Sequence, residues 1–113
     1  MRERREVIEN IRKARGINLL RKWLSLEQQA QFHAFSHFDV IGCDTGTRYR
    51  IRHGAAPNVH EIDAAGLPVM GWCFVPSGAL VPGDVMLAQK IALETNERAV
   101  LAVANRFPVR DRT

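Results

Sequence analysis

Only two of the 113 residues are cysteine, one is tyrosine and two are tryptophan. Two thiols cannot build a disulfide framework, so the cysteine count predicts a reducing compartment, the cytoplasm. Long apolar runs are missing as well. Nothing approaches the roughly 20 residues that cross a bilayer, which predicts no membrane partner. Behind Met1-Arg2-Glu3-Arg4-Arg5-Glu6 stands no apolar segment of the kind a secretory signal carries. The chain also lacks a phosphate-binding glycine loop, a Gly-x-Ser-x-Gly elbow, a dinucleotide fingerprint, a zinc-finger spacing and an RRM-type aromatic motif. No cofactor is expected. Apolar residues are abundant at 46%, beside 25% charged. That balance excludes a disordered tail, and the length predicts a single domain over residues 1–113.

The net charge of +4 is unevenly distributed. Residues 1–22 hold eight Lys or Arg and three Glu, a net +5, while the remaining 91 residues balance to −1. Val7, Ile11, Ala14, Ile17, Leu20 and Leu24 recur at helical spacing, so residues 1–24 read as a basic helical arm with one apolar stripe. Gly16 leaves two alternatives, one long helix or two hinged there. Ser25 and Gln28 have capping-box spacing and predict a second helix within 25–36, from Leu26 to about Ala34.

From Phe38 the period becomes two, and residues 37–75 read as an antiparallel sheet of two hairpins. The first turns at Cys43-Asp44-Thr45-Gly46. Its expected register sets Val40 against Tyr49, Phe38 against Ile51 and Asp39 against Arg50, which gathers the apolar side chains and opposes two charges. Arg48, Arg50 and Arg52 then form a row on one face, with Tyr49 and Ile51 toward the core. The second hairpin, Asn58–Ile62 and Leu67–Val75, turns at Asp63-Ala64-Ala65-Gly66 and has no clean period. Met70, Trp72 and Phe74 are expected in the core. Residues 84–106 read as two helices, one capped by Asp84 and running to about Glu94, one capped by Thr95 and running from Asn96 to about Asn105. The expected fold is therefore α+β: N-terminal helices, a four-stranded antiparallel meander and two C-terminal helices packed on it. The apolar faces of those last helices predict a homo-oligomer, most simply a homodimer.

The blocks Val40 to Ile51, Asn58 to Asp63, Gly71 to Pro76 and Gly83 to Glu94 resemble a set of small uncharacterised bacterial proteins. The resemblance spans about Trp23 to Asn105. It implies a cytosolic single-domain protein and carries no residue roles.

Among the residues that carry chemistry, the basic ones stand out. Arg48, Arg50 and Arg52 together with Arg12, Lys13 and Arg15 of the arm are the candidate binding residues, because several cations acting together neutralise a polyanion. The expected function is a non-catalytic binding or regulatory module whose partner is a nucleic acid or an acidic protein. Asp44-Thr45-Gly46 resembles the turn of aspartic proteases, where two carboxylates share a proton. An aspartic-protease-like hydrolase using Asp44 across a homodimer is thus the enzymatic alternative. Gly42-Cys43 before it and three arginines after it depart from that family's apolar surroundings, and Asp-Thr-Gly is also an ordinary hairpin turn. A structural subunit of a complex is a third reading. Cys43, His53, His60 and Cys73 lack a metal-ligand spacing, and His33 and His37 share a face only if the second helix continues, so no metal site is expected.

Overall fold

In the computed structural model, residues 2–54, 56–75 and 81–109 are described. The elements in chain order are α1 (Arg2–Trp23), α2 (Leu26–Phe35), β1 (His37–Ile41), β2 (Arg48–Arg52), β3 (Val59–Ile62), β4 (Pro68–Cys73), α3 (Pro82–Val103) and β5 (Asn105–Pro108). The strands make one antiparallel sheet in the order β1-β2-β3-β4-β5. This is an α+β architecture, and no helix among the described residues is long and apolar enough to cross a membrane. Pro76-Ser77-Gly78, whose turn-forming residues predict a loop, and the charged end Arg110-Asp111-Arg112, which the sequence predicts to fray, lie outside the described residues.

The first hairpin has the register expected from the sequence: Phe38 faces Ile51, Asp39 faces Arg50 and Val40 faces Tyr49. Phe38, Val40, Tyr49, Ile51 and Val59 pack on one face of the sheet with Leu20 of α1, Leu24 just beyond its end, Phe32 of α2, and Met86 and Leu93 of α3. A one-residue slip would place the arginines in that core. Ser25 and Gln28 close the expected capping box on α2. α2 also covers the outer edge of β1: Gln28 Nε2 donates to the Asp39 carbonyl and the Asp39 amide donates to Gln31 Oε1, both at 2.9 Å. Side-chain amides thereby satisfy the middle of an edge whose backbone groups could otherwise recruit another strand.

Several expectations are corrected. The sheet has five strands rather than four, because the chain leaves α3 at Ala104 in an extended conformation and returns along β4. Pro108, expected from the sequence to lie in a frayed end, is instead the last residue of an edge strand, where a missing amide is tolerated. The two expected C-terminal helices are one segment, Pro82–Val103, kinked at Asn96 with φ −155° and ψ 44°. Its first half begins two residues before Asp84, with Val81 at the cap and Pro82 opening the helix. Thr95 does not cap the second half, since its hydroxyl donates back to the Ile91 carbonyl. The second hairpin has no clean period because its register shifts between Glu61 and Ile62. Met70 and Trp72 are half-buried there, and Phe74 is buried.

α1 runs unbroken through Gly16. That glycine is buried because α3 starts against it: a Cβ on Gly83 would stand 2.2 Å from the Gly16 carbonyl carbon. The glycine pair permits the helix crossing and is not a hinge. Upstream of Gly16 nothing in α1 is buried, so the stripe expected to pack from Val7 through Ala14 is exposed, with Val7 at 56% and Ile11 at 46%. The crossing with the first turn of α3 falls at Gly16, and no described side chain covers the turns of α1 before it.

Candidate functional site

The helices pack against the Phe38, Tyr49 and Ile51 face of the sheet, which leaves the other face without a helical layer among the described residues. Strand alternation puts Arg48, Arg50 and Arg52 on that open face, about 6.6 to 6.8 Å apart. Arg50 is engaged: its Nε and Nη2 donate to the two Asp39 carboxylate oxygens at 2.8 and 3.1 Å, a bidentate pair across β1 and β2. The hydrogen bonds to Asp39 hold the Arg50 guanidinium even more firmly protonated than usual, against its partial burial. Arg48 is exposed and Arg52 half-buried, and among the described residues neither has a carboxylate within ion-pair distance.

Rings share this face with the arginines. His37 lies opposite Arg52, and His60 lies opposite Arg50 on one side and Gly71 on the other. Gly71 in turn faces Phe107. The Phe35 ring, at the end of α2, stacks on His37 with centroids 5.3 Å apart and planes 15° apart. Both histidines are held below their ordinary value. For His37 the cause is burial, then the charges of Arg50 and Arg52, with Asp39 opposing; for His60 it is burial and then Arg52. Each buries an Nδ1 with no hydrogen-bond partner among the described residues. A bare lone pair is less costly there than a bare N–H, which favours neutral rings protonated on Nε2.

The Asp-Thr-Gly turn has a partner that sequence reasoning missed. Glu97, fully buried in α3 just after the kink, sends its carboxylate into the turn. Its Oε1 accepts the amides of Asp44 and Thr45, each at 2.9 Å, and its Oε2 accepts the hydroxyls of Thr45 and Tyr49, each at 2.5 Å. Gly42 makes the approach possible, since a Cβ there would fall 2.2 to 2.4 Å from the carboxylate. Asp44 completes the exchange: its Oδ2 accepts the Arg98 amide at 3.0 Å and so caps the second half of α3. Burial pushes the Glu97 carboxyl up, but the Thr45 and Tyr49 hydroxyls and the two amides outweigh it, and the group is held below its ordinary value. The Tyr49 hydroxyl is pushed up by its burial and by Glu97. Four donors, two of them backbone amides, make a buried carboxylate tolerable.

Arg12, Lys13 and Arg15 are exposed on α1. Arg12 and Arg15 border a shallow crevice with Gly16, Val81 and Asp84, where α1 meets the start of α3. α1 packs against α3 on the helical side of the molecule, so the arm and the arginine row are not brought together into one surface. Cys43 is exposed in the turn with its Sγ 3.5 Å from the Glu97 amide, and no three His, Cys, Asp or Glu side chains among the described residues converge as metal ligands would. Along the outer side of α3 an apolar groove is lined by Phe74, Val75, Ile91, Ala99 and Val103 among others, none of them charged. Compared with protein-family profiles, with curated proteins and with solved structures, the chain finds no match in any of the three.

Proposed function

We propose that the protein is a non-catalytic binding module that takes an anionic partner on the open face of its sheet. The observation carrying this reading is that Arg48 and Arg52 stand on a face without a helical layer, with no carboxylate beside them among the described residues. A cation that folding leaves uncompensated can neutralise a partner's anion without first breaking an internal pair. Arg50, locked to Asp39, supports the row instead by filling its centre and keeping the side chains ordered. The basic arm, with Arg12, Lys13 and Arg15, is a second and separate contact on the opposite side.

The use made of the Asp-Thr-Gly turn favours this reading over the hydrolase. Asp44 caps α3 and Thr45 donates to Glu97, so both side chains serve the fold. Cytoplasmic location and self-association belong to the same proposal, the latter supported by the uncharged groove along α3 and read by sedimentation at high micromolar concentration.

The experiment is salt-dependent binding to an inorganic polyphosphate, for the parent chain, for Arg48→Gln/Arg52→Gln and for Arg12→Gln/Lys13→Gln/Arg15→Gln. The expected result is binding that weakens steeply with salt and weakens further in the sheet-face variant. Binding unchanged by the sheet-face replacements would refute the assignment to this face.

A further inference from the structure

We infer that the open sheet face is a platform for single-stranded nucleic acid, with phosphates along Arg48 and Arg52 and bases lying on the rings of Phe35, His37, His60 and Phe107. This rests on the anionic-partner reading and narrows it to one chemistry.

The breadth of the sheet argues against a duplex. Five strands at about 4.8 Å spacing span about 19 Å, whereas a B-form major groove about 12 Å wide admits a helix or a two-stranded ribbon. A single strand has no such constraint, because its bases can splay onto a broad surface while the backbone follows a line of cations.

The rings argue against an acidic polypeptide. A carboxylate-rich partner needs cations alone, yet this face also exposes apolar π surface: Phe35 is 66% exposed and Phe107 45% exposed. They flank the arginine row on its two sides. Phe35 stacks on His37 beside Arg52, and Phe107 lies across Gly71 from His60. Gly71 keeps the second side low. A Cβ there would meet the His60 ring at 3.4 Å and the Phe107 carbonyl at 3.3 Å, so the row His60, Gly71, Phe107 crosses three strands with rings and no protruding side chain between them. Both histidines are biased toward the neutral form, which suits stacking on a base. The one carboxylate in the row, Asp39, is already neutralised by Arg50 and does not repel a phosphate backbone.

The test is fluorescence anisotropy with labelled 15-mers of oligothymidylate and oligouridylate, a 15-base-pair duplex, and polyglutamate as competitor. The single strands are expected to bind at least tenfold more tightly than the duplex and to resist polyglutamate. Phe35→Ala and Phe107→Ala should each lose about fivefold or more in affinity while leaving the salt slope intact. Arg48→Gln/Arg52→Gln should instead lower the slope of log K against log salt by about 1.4, two contacts at about 0.7 each for a single strand. Phe35 lies at a helix end with most of its surface exposed, so its variant keeps the fold even if Phe107→Ala loosens β5, and Phe35→Trp should retain binding. Equal or tighter duplex binding, displacement by polyglutamate at equal charge, or ring variants that bind like the parent would overturn the nucleic-acid assignment and leave an anionic partner standing. Failure of every polyanion to bind in a salt-dependent way would remove both.

Discussion

Replacing Glu97 should damage the fold in a way that reports its charge as well as its size. In Glu97→Ala the Asp44 and Thr45 amides lose their acceptor inside a buried pocket, while the Thr45 and Tyr49 hydroxyls can rotate toward other partners. Two stranded amides at about 1–3 kcal/mol each, plus the space left behind, come to about 3–5 kcal/mol. Against a total stability of about 5–15 kcal/mol that is a large fraction, equivalent to a fall in Tm of about 12–20 °C for a chain of this length. Glu97→Gln is the sharper probe. Its amide oxygen can accept both backbone amides and its nitrogen can donate to both hydroxyls once they turn, so only the charge assistance is lost, about 1–2 kcal/mol at neutral pH. Because the folded carboxyl is held below its ordinary value of 4.5, the unfolded chain takes up the proton first as pH falls. The stabilisation by the charged group is therefore complete above that unfolded value and disappears as pH drops through the folded one. Urea unfolding of the parent and of Glu97→Gln at several pH values between 7 and 3 should show two curves that converge on acidification. A gap that stays constant over that range, or a Glu97→Ala protein within about 1 kcal/mol of the parent, would refute the account.

Gly42→Ala should cost about 2–4 kcal/mol in a urea titration, because its Cβ would overlap the Glu97 carboxylate and either the turn or the helix must shift. At the helix crossing, Gly83→Ala should be much worse than Gly16→Ala. The first drives a Cβ into the backbone of Gly16 at 2.2 Å, while the second meets Val81 Cγ2 at 2.8 Å and recovers about 1 kcal/mol of helix propensity. Equal effects at the two positions in thermal melts would contradict this geometry. Deleting residues 2–15 should change the unfolding free energy by less than about 1 kcal/mol, since none of them is buried, while removing a net +3 from the chain. Loss of cooperative unfolding in that truncation would show that the exposed stripe at Val7, Ile8 and Ile11 is structural after all.

What the sequence disclosed and what it withheld divide along sequence separation. The first hairpin was legible to the residue because Phe38, Val40, Tyr49 and Ile51 must all turn one way, and only one register also opposes Asp39 to Arg50. The α2 cap was legible because Ser25 and Gln28 are three residues apart. Glu97 was not: the groups it satisfies lie 48 to 53 residues away, and in sequence it is one more polar position in a helix. A glycine directly before a polar turn was the available signal, since Gly42 marks close approach by something that the turn itself does not supply. β5 was hidden by its brevity and by Pro108, which fits a fraying end as well as an edge strand. The exposure of Val7 and Ile11 depends on where α3 begins, which no periodicity within α1 encodes.

The buried acid and the open arginine face are two ends of one arrangement. Tyr49 is tied through its hydroxyl to Glu97 on the core side, and its neighbours Arg48 and Arg50 are thereby committed to the other side, since alternation leaves them no choice. Thr45 and Asp44 bind the turn to α3, and β2 starts two residues beyond that turn, at Arg48. The cations are therefore presented from a strand fixed at its beginning by four hydrogen bonds to one carboxylate and at its centre by the Asp39 pair. A flexible basic tail would lose backbone and side-chain freedom at each arginine on binding, whereas in this strand the backbone part is lost on folding and the Arg50 side chain is already held by Asp39. The arm of α1 lacks any such anchoring upstream of Gly16. If both surfaces meet polyanions, neutralising the sheet row should therefore slow association less and speed dissociation more than neutralising Arg12, Lys13 and Arg15 does, a difference that stopped-flow binding and release would resolve.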